Sequence, residues 1–174
     1  FKFFIKIPKT ISHLKKLENT AEDSLQFCEY IANGLGEKLA GFLYQLPPSF
    51  HFSEENLAKV IENGKNAFVN VFEFRHESWW NEEVFKILKE NDIVFSGVSF
   101  PKNIPDDLIC NNSDTIYYRL HGAPILYKSE YSEEFLINLA NEIKTYKQTV
   151  YVLFNNTWGI SALKNAQFLK TLLE

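Results

Sequence analysis

The chain has 174 residues, 45% of them hydrophobic and 23% charged, which supplies one buried core and excludes a disordered chain. A formal charge of −4 at pH 7 argues against wholesale nucleic-acid binding, while leaving room for a local basic patch. Cys28 and Cys110 are too few for a disulfide framework or a metal knuckle and read as reduced residues of a cytoplasmic protein.

Strand and helix patterns alternate along the chain. The run "FKFFIKI" at 1–7 is strand-like and closed by Pro8, and helical spacing follows at 21–36 through Leu25, Cys28, Ile31 and Leu35, with Thr20 as N-cap. A strand at 39–46 stops at Pro47, and Ser53 caps a helix that closes on Gly64. Residues 67–74 are a third strand, and Asn81 caps the next helix. Residues 92–100 read as one strand, followed by a Pro/Asn/Asp-rich loop to Asp114. Strands at 115–121 and 149–155 flank a helix that begins at Ser132, and 160–174 is a terminal helix.

Single helices between strands demand crossover connections, hence parallel strands with helices outside. The fold class expected is α/β, either an open doubly wound sheet or a TIM-like (β/α) barrel, in one domain without internal repeats. No glycine-rich loop follows the first strand, which weakens the dinucleotide-binding alternative and identifies no cofactor. No apolar run approaches the roughly 18 residues of a membrane span, and "FKFFIKIPKT" is too short an apolar run for a signal peptide. The chain contains no methionine and opens inside a strand pattern, so an N-terminal portion is expected to be missing.

Polar residues fall at the carboxyl ends of these strands: Lys6, Gln45, Glu73 with Arg75, Ser99, Arg119 with His121, and Asn155 with Asn156. In parallel α/β folds that end carries the ligand face. Side chains two apart share a face, so Val71, Glu73 and Arg75 oppose Phe72 and Phe74, and Tyr117, Arg119 and His121 oppose Ile116, Tyr118 and Leu120. The expectation is a shared mouth whose excess of Lys6, Arg75 and Arg119 over Glu73 favours a phosphate or carboxylate. A structural ion-pair network of the same residues is the competing explanation. His13 could reach the mouth or pack a loop, His76 falls opposite Arg75 or in a turn, and His51 sits on a surface loop. Trp79 and Trp80 could stack a ring or anchor a loop. Glu73, His76 and His121 make a thin ligand set, so no metal is expected.

The stretches "FFIKIPKTISH", "GFLYQLPPSF", "FEFRHESWW", "YYRLHG" and "YVLFNNTWGISALKNA" resemble successive motifs of the YecE-like proteins, a bacterial and archaeal family of unknown function. The resemblance covers nearly the whole chain in order. It implies a TIM-like barrel, here about six strand-helix units of eight, because family members usually begin with two further units rich in glycine and tyrosine. The family's recurrent residues map onto Lys6, His13, Gln45, Glu73, Arg75, His76, Trp79, Arg119, His121, Gly122 and Asn155. One departure is visible: where the family commonly carries an Asp, this chain has Val98 and Ser99. No reaction comes with the resemblance. Three functions therefore stay open. The first is an enzyme or binder for a small anion, with Arg75 and Arg119 holding it, Glu73 or His121 moving a proton and Lys6 polarising a carbonyl or forming a Schiff base. The second is a nucleic-acid-related protein, and the third a non-catalytic module.

Overall fold

The computed structural model describes residues 1–101, 104–105, 110 and 113–174; most of the loop expected before Asp114 lies outside these residues. The chain divides into two compact units, Phe1–Phe95 and Ser96–Glu174.

The N-terminal unit contains β1 (Phe3–Lys6), α1 (Ala21–Leu35), β2 (Leu39–Gln45), α2 (Glu54–Gly64), β3 (Asn70–Glu73), α3 (Glu82–Glu90) and β4 (Ile93–Phe95). Its strands form one parallel sheet in the order β1-β2-β3-β4. The C-terminal unit contains β5 (Gly97–Ser99), β6 (Thr115–Leu120), α4 (Glu133–Ile143), β7 (Thr149–Phe154) and α5 (Ser161–Leu173), with a parallel sheet ordered β5-β6-β7. Spatial order repeats chain order within each sheet, which fits the α/β expectation and is consistent with a partial TIM-like barrel.

The expected strand at 92–100 is two strands in two sheets. The break falls at Ser96, whose hydroxyl donates to the Gly97 carbonyl at 3.0 Å. A side chain that competes for main-chain groups interrupts the ladder there.

Caps behave as the sequence suggests at three of four positions. Ser53, Asn81 and Ser132 accept hydrogen bonds from the amides of Asn56, Val84 and Phe135. Thr20 does not cap α1: its hydroxyl donates to Asn63 Oδ1 at 2.9 Å, beside Ser24, which donates to the same oxygen at 2.8 Å. The inward face of α1 is therefore carried by Ser24 and Cys28, whereas Leu25 is 38% exposed. A buried polar tie from α1 to α2 has overridden the simple apolar spacing.

Alternation along the sheet holds. Tyr44 and Phe72, register partners on β2 and β3, stack at 4.4 Å on the helix side, where Tyr44 also reaches the Asn63 carbonyl. Leu43, Gln45, Val71 and Glu73 take the other face. In the C-terminal unit Ile116, Tyr118 and Leu120 form a core with Leu136, Leu139, Ala140 and Leu169 of α4 and α5. Gly64 closes α2 for a packing reason: a Cβ there would stand 2.8 Å from Ile93 Cδ1 and from the Phe72 ring.

Candidate functional site

In the N-terminal unit the ends of three adjacent strands meet. Gln45 and Glu73 are register partners, and the Leu46 amide donates to the Glu73 carbonyl at 3.0 Å. Lys6 Nζ donates to Gln45 Oε1 at 3.0 Å, joining the end of β1 to that of β2. Two residues beyond the sheet position of Glu73, Arg75 folds back so that Nε and Nη2 both engage Glu73 Oε1. Glu73 is fully buried and the Arg75 side chain only 5% exposed, so this is an interior ion pair. Burial of either charge alone would cost several kcal/mol; together they are sustained.

His13 arrives by local geometry. Pro8 ends β1, and its carbonyl accepts the amides of Ile11 and Ser12, starting the short helical turn Thr10–Leu14. Partial burial pulls the His13 pKa below its ordinary 6.5, and the like charges of Lys6, Lys9 and Arg75 lower it further. His13 Nδ1 lies 2.9 Å from Ser12 Oγ, which itself donates to the Pro8 carbonyl at 3.2 Å. The sequence reading passed over Lys9; its signal was the spacing "KIPK", in which the proline turn carries a second lysine back towards the first.

Other residues acquire different parts. Trp79 is fully buried, stacked on Phe74 at 4.1 Å and Phe50 at 5.6 Å, with its indole N–H on the Phe50 carbonyl at 2.8 Å. No ring face is left for a ligand, so the loop-anchoring role replaces the stacking one. His76 caps the turn Glu77–Trp79: its Nδ1 accepts the Ser78 amide at 3.2 Å and lies 2.8 Å from Ser78 Oγ. This is the turn position that the sequence offered as the alternative to ligand binding. Lys6 is exposed, so the fold does not supply the desolvation that a Schiff-base lysine needs. Burial pushes the Cys28 thiol up to about 11, which removes it as a nucleophile.

In the C-terminal unit Arg119 and His121 flank Leu120 at the end of β6, and Asn155 follows β7. His121 is fully buried, with Nδ1 3.0 Å from Asn155 Nδ2. Behind it, Asn165 of α5 accepts from the Tyr131 amide at 3.1 Å and from Asn156 Nδ2 at 2.9 Å, and donates to the Tyr131 carbonyl at 3.0 Å. The Tyr131 hydroxyl accepts the Gly122 amide at 2.8 Å, fixing the turn after His121 where Gly122 has φ +86°. The residues expected at one mouth thus divide between the units: Lys6, His13, Gln45, Glu73 and Arg75 gather in the first, and Arg119, His121 and Asn155 belong to the second. Among the described residues there is no group of three or more potential metal ligands. No described helix is long and apolar enough to cross a membrane.

The family profile for "Protein of unknown function DUF72" matches residues 1–174. The chain belongs to the DUF72 family. YecE-like is a near synonym for the same group. Among curated relatives, the UPF0759 protein YunF of Bacillus subtilis (strain 168) is 25% identical over 79% of this chain, which spans 58% of YunF. A crystal structure of a DUF72 family protein from Thermotoga maritima superposes with a TM-score of 0.83 at 30% identity, covering 100% of this chain and 74% of that one. A DUF72 protein of Enterococcus faecalis, 22% identical, shares the fold with a TM-score of 0.84 over 99% of this chain and 74% of its own.

Proposed function

We propose that this DUF72 chain binds a small anionic molecule, a phosphate or a carboxylate, at the ends of β1, β2 and β3. The supporting observation is the company of His13: three cations, Lys6, Lys9 and Arg75, act on it, against one buried carboxylate on Glu73. Burial lowers the proton affinity of His13 first and the like charges lower it further, so the ring sits in a positive potential that an anion relieves. Glu73 then serves to hold Arg75 in place, and Lys6 and Gln45 present a donor and an amide to the ligand. A proton-transfer role, if the chain is an enzyme, falls to His13, because a histidine kept neutral is a base at physiological pH. A cytoplasmic location, in keeping with a chain that carries two cysteines, belongs to this reading as well.

The test is a titration of the His13 ring followed by NMR, with and without inorganic phosphate. Bound phosphate should raise the midpoint of His13, and Lys6→Gln should weaken that response. If phosphate and a small dicarboxylate both leave the wild-type His13 titration unmoved, the anion reading fails.

A further inference from the structure

We propose that Asn155 is a positioning residue that holds His121 as the neutral tautomer with its proton on Nε2. The main chain of His121 is pinned on both sides: its amide donates to the Ser99 carbonyl at 3.0 Å, and its carbonyl accepts the Tyr127 amide at 2.6 Å. Phe100 and Tyr127 stand edge-on to its ring at 5.6 and 6.1 Å, limiting rotation. Asn155 is pinned in turn, because its amide donates to the Leu120 carbonyl at 2.7 Å, one residue before His121. The side chains meet with Asn155 Nδ2 3.0 Å from His121 Nδ1. A carboxamide nitrogen can only donate, so Nδ1 must accept, and an accepting Nδ1 carries no proton. The proton of the neutral ring is then on Nε2.

The contact differs in kind from the other histidine contacts. His13 and His76 are met by serines one and two residues away, within their own turns, where local backbone geometry suffices as a cause. His121 and Asn155 are 34 residues apart and come together only because β6 and β7 pair in register. Two strands therefore cooperate to choose a tautomer. The chemical consequence is definite: any group that meets Nε2 must be an acceptor, such as a carbonyl or an oxyanion oxygen, and His121 acts on it as a hydrogen-bond donor. The role of general base expected for His121 requires a bare nitrogen, and the one available is occupied by Asn155. The inference stands on the C-terminal unit alone and does not depend on anion binding beside His13.

Long-range ¹H–¹⁵N correlation spectra of the full chain at neutral pH test it. Four histidines make assignment tractable, with His121→Gln identifying the resonances. The expected result is one tautomer for His121, Nδ1 unprotonated and Nε2 protonated. Asn155→Asp puts only acceptors against Nδ1 and should move the proton to Nδ1; Asn155→Leu, which removes the donor at similar size, should give an averaged mixture of tautomers. A wild-type spectrum with Nδ1 protonated overturns the proposal, whether or not either variant folds. So does the wild-type tautomer persisting unchanged in both folded variants.

Discussion

At the ends of β1 to β3 a guanidinium meets a carboxylate and an ammonium meets a carboxamide, with a histidine nearby; behind the ends of β6 and β7 the groups are an imidazole, three carboxamides and a phenol. The Glu73–Arg75 pair and the network around Asn165 are both buried, yet they face opposite penalties. A buried charge is tolerated only with its counter-charge, so losing one partner is worse than losing both. A neutral network is cheaper to bury, but Asn165 holds both main-chain groups of Tyr131 and the Asn156 side chain at once, so losing it strands its neighbours. At these strand ends the first unit uses its polar groups for local potential and the second for geometry.

The largest test of this contrast is Glu73→Gln. Removing the carboxylate from a guanidinium that is 5% exposed should cost about 3–5 kcal/mol, read as a lower urea midpoint with an unchanged slope. Replacing both partners, Glu73→Leu with Arg75→Met, should recover most of that loss. If the double variant is as unstable as the single one, the pair is not behaving as a coupled charge pair.

In the second unit Asn165→Ala should cost about 2–3 kcal/mol, because the Tyr131 amide and carbonyl and the Asn156 amide all lose their partner. The loss should be nearly independent of salt, in contrast to the pair at Glu73. Hydrogen exchange should quicken at the Tyr131 amide and at the Gly122 amide held by its hydroxyl. An unaltered rate at Gly122 would show that the network does not reach the turn after His121.

A smaller effect serves as the calibration. Ser53→Ala removes a 3.1 Å cap of α2 that neither site uses, and should cost about 1 kcal/mol in thermal or urea unfolding. A loss as large as that of Asn165→Ala would mean that α2 depends on its own terminus more than on the Asn63 ties that hold it to α1.

What was legible beforehand follows the same division. Local, repeated signals were readable: three caps, the strand alternation through Glu73 and Arg119, and the family motifs all follow from residues near one another in the chain. Long-range polar ties were not. Thr20 looked like a cap because Asn63, 43 residues away, cannot be paired with it by inspection. Trp79 stayed open between stacking a ring and anchoring a loop because its cover, Phe50 and Phe74, comes from a distant loop and a strand end. Asn155 was visible as a strand-end amide, but its donor role towards His121 needs the register of β6 and β7. The split of residues 92–100 falls at Ser96, whose hydroxyl donates to a main-chain carbonyl.

The finest discrimination concerns His13. Its pKa in the fold lies below the ordinary 6.5, first through partial burial and then through Lys6, Lys9 and Arg75. The unfolded chain therefore binds this proton more readily than the folded one. The stability that the neutral ring protects is whole above about pH 6.5, and it is lost as pH falls through the ordinary value towards the folded one. Urea midpoints measured from about pH 7.5 down to about pH 5.5 should fall more steeply in wild type than in His13→Gln, whose other titrating groups are shared. Lys6→Gln should fall between the two, because it removes one of the three like charges while leaving burial in place. Parallel curves for wild type and His13→Gln would mean that neither burial nor the cations act on this ring, while a Lys6→Gln curve that matches wild type would remove Lys6 alone from its surroundings.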